Sequence, residues 1–464
     1  MNNLLAAAWA NLPDYLGQHV LLSVSAMVLG LVVSLPLAIA AYRNAWLRGP
    51  ALAVASVMQT IPGLALLALF YPLLIIVSAF TMRTFGFEFR ALGFLPAMLA
   101  LALYSMLPIL RNTIVGLTGL DPAILRAARA TGMTPLQSLW LVELPLASPV
   151  IMAGIRTAAV WVIGTATLST PIGQTSLGNY IFTGLQTENW VLVLFGCVAA
   201  AVLALVIDRL LALAESGFAL RSYPRVLSAF AGIAVVIAAS LFPMLGQPGG
   251  TTITVGTKSF DEQYIIGSLI QKKLRAAGFA TTRRDGLGSI VAFHALVNGD
   301  VDITIDYTGT IWTNEMKRTD QPGRTAVLAQ MTAWLKQKYG IRVLKLGFED
   351  AYAIAMRRSH ADALHIDTIA NLANYAGSMT VGGDYEIFSR PEWRAVTKAY
   401  GLRFGRQRQF QSDFMYRAVA TGDVDAITAF SSDGRIAQYD LKLLADPKGA
   451  FPPYDTVLLI DAKH

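Results

Sequence analysis

The first 250 residues run in long apolar stretches, and the remaining 214 in short alternations of apolar and polar positions. A bilayer core needs about 20 apolar residues per helix. Six runs are long enough: Val20 to Tyr42, Leu52 to Phe80, Ala91 to Val115, Ser148 to Ser169, Trp190 to Leu213 and Leu227 to Leu245. The second contains Pro62-Gly63 and Pro72, which predict a tilt or a break. From Thr251 the period changes. Ile253 to Gly256 and Val301 to Tyr307 read as strands, and Asp261 to Ala277, Ile290 to Asn298 and Arg324 to Tyr339 as helices. After Ala351 to Arg357 the alternation restarts, with helices over Asp367 to Tyr375, Pro391 to Tyr400 and Asp413 to Thr421 and strands over Met379 to Gly382 and Asp425 to Ala429. Such alternation predicts a parallel α/β sheet, here in two lobes joined by crossing strands, a hinged clamp able to close on a ligand.

Composition sharpens the division. The chain is 54% hydrophobic and 14% charged, against about 25% charged for soluble domains. Eighteen charged side chains, none of them lysine, precede residue 251, and 49 follow it. The net charge of +7 comes with no basic run and no basic patch interleaved with aromatics, which argues against a nucleic-acid partner. The positive excess instead orients loops in a lipid bilayer. Arg43, Arg48, Arg126, Arg129, Arg221 and Arg225 follow spans one, three and five, whereas Arg83 and Arg90 follow span two. By the positive-inside rule the first set is cytoplasmic and everything after Leu245 is outside. No basic, cleavable leader is evident at the N-terminus, so export of the C-terminal half is expected to use the membrane segments themselves.

Smaller features add local expectations. Cys197 is the one cysteine, which excludes an intrachain disulfide, and among Val, Ala and Phe it reads as a small packing residue. Arg111 and Arg156 lie near span ends and are expected to snorkel to the interface. Gly164 to Thr167 and Pro171 to Gly173 are small-residue stretches suited to close helix packing. Asn179 to Trp190 reads as an outer loop with Glu188 and the interfacial aromatics Tyr180 and Trp190, and Gln247-Pro248-Gly249-Gly250 as a flexible linker.

Between spans three and four, Asp121 to Arg156 reads DPAILRAARATGMTPLQSLWLVELPLASPVIMAGIR. An Ala-rich helical run breaks at Gly132, resumes over Pro135 to Val142 and is expected to break again before Pro145. The order Arg126-Ala127-Ala128, Gly132, an apolar helix and Leu144-Pro145 resembles the coupling loop of ABC-importer permeases, spanning 121 to 146. That resemblance implies an ATPase partner subunit docking at these residues, so that ATP is hydrolysed by the partner and this chain carries no cofactor. Arg126 stands where a glutamate usually opens the motif. An ion pair formed there in relatives is therefore not expected here.

In the C-terminal half the words Gly256-Thr-Lys-Ser-Phe-Asp-Glu-Gln, Asp306-Tyr-Thr-Gly-Thr, Phe348-Glu-Asp-Ala-Tyr, Gly422-Asp-Val-Asp-Ala, Ser431-Ser-Asp-Gly-Arg-Ile and Phe451-Pro-Pro-Tyr-Asp occur in order. This chain resembles fused permease and substrate-binding proteins of the osmoprotectant (glycine betaine, carnitine and choline) ABC importer family. The resemblance implies a type I importer permease over 1–222, an extra transmembrane helix and linker over 223–250, and an extracytoplasmic two-lobed α/β periplasmic-binding-protein-like domain over 251–464. It further implies a bacterial inner-membrane location and a permease homodimer. Relatives continue past the last strand, so a shortened C-terminus is expected at His464.

A trimethylammonium group has charge but no N–H, so it is held by aromatic faces whose quadrupole attracts a cation. By position, the family's cage falls on Tyr307, Tyr352, Phe430 and Tyr454, with Gln263 and Thr310 at positions that bind the ligand's carboxylate and Asp350 beside the cage. Phe430 keeps a π-face where a tyrosine is common. The bland reading of such rings is hydrophobic core. Gly-x-Lys-Ser at Gly256 lacks the Gly-Lys adjacency of a phosphate loop, and His294, His360 and His365 lack metal-ligand spacing and read as surface residues. No catalytic constellation stands out, which argues against an enzyme. Uptake of a quaternary ammonium osmoprotectant leads. Ergothioneine, also a trimethylammonium carboxylate, is the alternative within the class, with Asp350 a candidate partner for its ring N–H. A ligand-gated channel or a membrane-anchored sensor is the alternative from another class, and the inner loops are short for a sensor's output domain.

Overall fold

The computed structural model describes residues 2–86, 89, 93–186, 189–245, 252–318, 320 and 322–461. Arg90, Ala91, Glu188, the Gln247-Pro248-Gly249-Gly250 linker, Thr251 and His464 lie outside the described residues. The chain divides into two compact units, a helical one up to Gly249 and an α/β one that begins at Gly250.

The helical unit runs α1 (Asn2–Arg43), α2 (Ala45–Thr60), α3 (Gly63–Phe85), α4 (Phe94–Thr118), α5 (Pro122–Ala130), α6 (Pro135–Ser138), α7 (Leu144–Ala166), α8 (Gly178–Gln186), α9 (Trp190–Ala219) and α10 (Tyr223–Leu245). Among the described residues, α1, α3, α4, α7, α9 and α10 are long and apolar enough to cross a membrane. The second expected span is two helices, because Ile61 is extended before Pro62, as a residue preceding proline prefers. Pro72, by contrast, sits inside α3 without ending it. Groups freed by the prolines find partners across the break. Pro108 has no N–H to give to Tyr104 O, and Gln59 Nε2 donates there instead at 3.1 Å, while the Tyr104 hydroxyl donates to Ile61 O. Close packing of α4 on α7 depends on Gly154, where a Cβ would stand 2.6 Å from Asn112 Cβ and 2.8 Å from Pro108 O.

Four expectations for this unit are corrected. The chain does not break before Pro145: the backbone stays helical from Pro135 through a π turn, Leu139–Glu143, into α7. Pro145 cannot donate to the carbonyl four residues back and crowds it, and the wider turn accommodates both. The expected outer loop after Asn179 contains α8, and Tyr180 is buried, donating its hydroxyl to Ala8 O at 2.6 Å. Cys197 is exposed, because the buried line of α9 runs through Gly196, Leu203 and Leu211, and Cys197 sits one step round from it. Arg156 does not merely snorkel. It makes a two-point ion pair with Asp208 of α9, Nε to Oδ1 at 2.6 Å and Nη2 to Oδ2 at 3.0 Å, with Glu215 at 3.4 Å.

Among the described residues the α/β unit has ten strands: β1 (Thr252–Lys258), β2 (Ala280–Leu287), β3 (Ile303–Tyr307), β4 (Arg342–Glu349), β5 (Tyr352–Arg357), β6 (Thr380–Gly383), β7 (Arg406–Gln409), β8 (Ala426–Phe430), β9 (Leu441–Leu444) and β10 (Asp455–Ile460). They form two sheets, ordered β2-β1-β3-β10-β4 and β7-β6-β8-β5-β9. The expected parallel sheets are in fact mixed. β1 runs parallel to β2 and β3, but β10 lies antiparallel between β3 and β4, and β5 antiparallel between β8 and β9. The chain therefore crosses between lobes twice, at Asp350 and Ala351 and again over residues 445–454. Helices α11 (Asp261–Ala276) and α12 (Ser289–Val297) cover the first sheet. Pro391–Tyr400 and Ser412–Thr421 are helices of the second lobe.

Candidate functional site

Strand ends and the two crossings converge on a cavity of about 100 Å³. Tyr307 ends β3, Tyr352 begins β5 directly opposite Phe430 at the end of β8, and Tyr454 precedes β10 on the second crossing. All four line the cavity, with Thr310 and Asp350. Phe260, just before α11, supplies a fifth ring. The centroids close a circuit: Phe260 to Tyr307 at 6.0 Å, Tyr307 to Tyr454 at 6.4 Å, Tyr454 to Tyr352 at 5.6 Å, Tyr352 to Phe430 at 5.2 Å and Phe430 to Phe260 at 5.2 Å. Sequence reasoning missed Phe260 as a site residue, although it stands inside the word from Gly256 to Gln263.

The tyrosine hydroxyls are tied down behind the rings. Tyr307 donates to Glu262 Oε1 at 2.7 Å, Tyr352 to Asp384 Oδ2 at 3.2 Å and Tyr454 to Glu392 Oε1 at 2.6 Å. Burial first, then neighbouring carboxylates, holds Tyr307 and Tyr454 well above the usual phenol range, so both remain donors. Pinned hydroxyls fix the ring planes and leave the π-faces to the cavity. Gln263 does not line it: this buried amide donates to Tyr307 Oη at 2.9 Å and accepts from Lys258 N at 3.2 Å, so its contact is with the ring system.

The polar lining pairs charge with charge. Lys258 Nζ lies 2.5 Å from Asp306 Oδ1, both buried, and 5.3 Å from the Tyr307 centroid. Arg390, also buried, donates to Glu386 Oε2 at 2.5 Å and to Ser289 Oγ at 2.9 Å, with its guanidinium 5.7 Å from the Tyr352 centroid. Burial, and next the nearby Glu262 carboxylate, pushes Asp350 up to about 7. Burial likewise raises Asp384. Asp384, Glu386 and Arg390 were not identified from the sequence, since nothing in their spacing marks them, and Lys258 was weighed there only as part of a phosphate loop. Contacts bridge the cleft at several points, including Glu386 to Ser289 N at 3.3 Å and Thr313 to Glu392 at 2.9 Å, so the two lobes are closed on one another. Among the described residues no group of His, Cys, Asp and Glu could hold a metal ion.

In the helical unit, α5 is capped by Asp121, which accepts from Ala123 N, and Gly132 turns the chain at φ +82°. A capping box of Thr134 and Gln137 then opens α6. Arg126, Ala127 and Gly132 are exposed and Ala128 is buried, while Leu144 is half-buried and Pro145 exposed. Leu136, Trp140 and Leu141 also stand exposed, an apolar surface beside the turn. Arg43 braces this segment from α1, donating to Pro135 O at 3.2 Å and to the buried Glu143 at 3.1 Å.

Residues 27–219 match the family described as binding-protein-dependent transport system inner membrane component, and residues 251–463 the substrate binding domain of ABC-type glycine betaine transport system. Over 93% of this chain and 77% of the relative, the sequence is 28% identical to the ergothioneine transport permease/ergothioneine binding protein EgtU of Helicobacter pylori (strain G27). It is 42% identical to the choline transport system permease protein OpuBB of Bacillus subtilis (strain 168), over 43% of this chain and 84% of that one. It is 41% identical to the glycine betaine/carnitine/choline transport system permease protein OpuCB of the same organism, over 43% and 84%.

Proposed function

The chain belongs to the permeases of binding-protein-dependent ABC importers and continues into a substrate-binding domain of the glycine betaine type, and on that premise we propose that it imports a compound bearing a trimethylammonium group. The closed circuit of five rings carries this reading. A quaternary cation offers no hydrogen to donate, and aromatic faces with carboxylates behind them are the chemistry that recognises it. In this reading Phe260, Tyr307, Tyr352, Phe430 and Tyr454 hold the cation. Thr310 faces the ligand's polar end, and Gln263 acts through Tyr307.

The permease works as a homodimer in the bacterial inner membrane, with the clamp outside. The arginines after α1, α4 and α9 support this orientation, since those three loops share one side of six crossings. A separate ATPase subunit seats on α5, α6 and the exposed Leu136, Trp140 and Leu141. Calorimetric titration of the full chain in detergent with choline, glycine betaine and carnitine tests the reading. Saturable binding of at least one is expected, and no heat from any trimethylammonium compound, ergothioneine included, overturns it.

Ergothioneine is the second reading, favoured by the end-to-end match to a relative named for it and by Asp350 at the cavity wall. Competition between ergothioneine and choline for the same site separates the two.

A further inference from the structure

Ser432 stands between two carboxylates from different parts of the clamp. Its hydroxyl lies 2.8 Å from Asp350 Oδ1 and within hydrogen-bond distance of Glu262 Oε2, and its N–H donates to Asp350 Oδ1 at 3.1 Å. Glu262 belongs to α11 of the first lobe, Ser432 follows β8 in the second, and Asp350 lies on the first crossing. A serine hydroxyl has one proton to give. If it goes to Asp350, the Glu262 oxygen meets only lone pairs. The other donor at Glu262, the Tyr307 hydroxyl, is already committed to Oε1, and Gln263 occupies the acceptor side of Tyr307. One more proton completes the chain of donors: a Glu262 carboxyl hydrogen given to Ser432 Oγ, and the Ser432 hydrogen given to Asp350.

The charged groups facing this pair do not neutralise it. Asp433, next in the chain, adds negative charge. Arg435 is held by Asp433 at 2.6 Å, Asp413 at 2.7 Å and Asp261 at 3.4 Å. On β1 and β3, Lys258 is held by Asp306, and in the second lobe Arg390 is held by Glu386 and Glu392. Tyr307 stays protonated. Burial pushes both the Glu262 and Asp350 carboxyls up, which agrees with the donor count.

We infer that closing the two lobes takes up one proton, shared by Glu262 and Asp350 through Ser432, so that the clamp closes more readily in acid than in alkali. Opening parts Glu262 from Ser432 and returns both carboxyls to water, where they ionise. The inference rests on the reading of this unit as a clamp that opens and closes, but not on which ligand it takes.

The test is therefore run without ligand. Spin labels at Lys272→Cys on α11 and Arg394→Cys on the helix Pro391–Tyr400, both exposed, are placed in the full chain with Cys197→Ser, and the distance between lobes is measured in lipid nanodiscs. The ratio of closed to open form should fall between about pH 4.5 and about pH 7, by up to about tenfold per pH unit, and level off above that. Glu262→Gln should stay closed across the range, because its amide oxygen accepts from Tyr307 while its NH₂ donates to Ser432. A distance distribution in the unsubstituted clamp that does not move with pH overturns the inference, as does a Glu262→Gln protein that opens in parallel with it. Should the distances shift as expected while titration with choline, betaines and ergothioneine gives no heat, the proton latch stands and the ligand reading falls.

Discussion

Lys258–Asp306 and Arg156–Asp208 are the same chemistry in opposite surroundings. In the α/β unit the side chains are 3% and 1% exposed, whereas in the helical unit they are 35% and 20% exposed, with Glu215 as a second acceptor. A buried pair with no second ion-pair partner behaves as one unit, because breaking it strands a charge in a dry interior. A pair with a spare carboxylate in reach depends less on either one, because its arginine keeps a partner when the other is lost. The cleft thus keeps its charges locked behind a wall of rings, while the helical unit gives one arginine two carboxylates along one side of α7 and α9.

The largest effect should come from splitting the locked pair. Asp306→Ala leaves Lys258 without its carboxylate and should destabilise the α/β unit by about 3–5 kcal/mol, read as a lowered denaturant midpoint. Asp208→Ala leaves Arg156 with Glu215 as a partner and should cost clearly less. Equal losses would erase the distinction.

Protonation sharpens the contrast next. Asp413 is fully buried, and burial, only partly opposed by Arg435, pushes it up to about 7. Its folded pKa lies above the unfolded one, so between about pH 4 and 7 the folded state binds the extra proton and stability falls as pH rises, by at most about 1.4 kcal/mol per pH unit for one group. Thermal unfolding of the α/β unit should therefore shift downward across that window. Asp413→Asn should flatten the slope, and an unchanged slope would remove Asp413 as its source.

The same contrast explains what could be read from the sequence. Spans were legible because lipid demands some twenty apolar residues in a row, and all six appear, with ends shifted by caps and prolines. In the α/β unit the central strands β1, β3, β6 and β8 were legible from their apolar runs. The four that were not, β2, β4, β7 and β9, are the sheet edges. Arg283, Arg284 and Asp285 on β2, Arg342 and Lys345 on β4 and the Arg-Gln-Arg-Gln of β7 blur the alternation that marks a strand, as edges that must resist further pairing do. The rings at Tyr307, Tyr352, Phe430 and Tyr454 were legible only through their surrounding words. Arg390 and Glu386 were not, since an i,i+4 charge pair usually lies on a solvated face and only the tertiary fold buries the arginine of this one. The Arg156–Asp208 pair escaped because its partners lie 52 positions apart.

A smaller effect tests whether rings, rather than the locked charges, define the cleft. Tyr352→Ala removes one wall and should weaken binding of a trimethylammonium ligand by about 1–2 kcal/mol. Tyr352→Phe keeps the π-face, gives up only the bond to Asp384, and should bind within a few-fold of the native chain. Calorimetry on both variants decides: if Phe loses as much as Ala, the hydroxyl and its carboxylate hold the ligand, and the division between rings in front and charges behind is wrong.

The smallest effect belongs to the helical unit, where the turn between α5 and α6 depends on backbone rather than on charge. Gly132 has φ +82°, and a Cβ there would touch nothing within 4 Å. Gly132→Ala therefore costs only the left-handed backbone, about 1 kcal/mol, with no steric term to confuse it. Amide exchange over residues 121–146 should speed up about fivefold, the factor that 1 kcal/mol implies, while ligand affinity in the α/β unit stays unchanged. Exchange that does not change would mean that the caps of Asp121 and Thr134 hold the helix pair without the turn. The segment would then be as rigidly determined as the cleft, and the looser hold argued for the helical unit would be confined to its ion cluster.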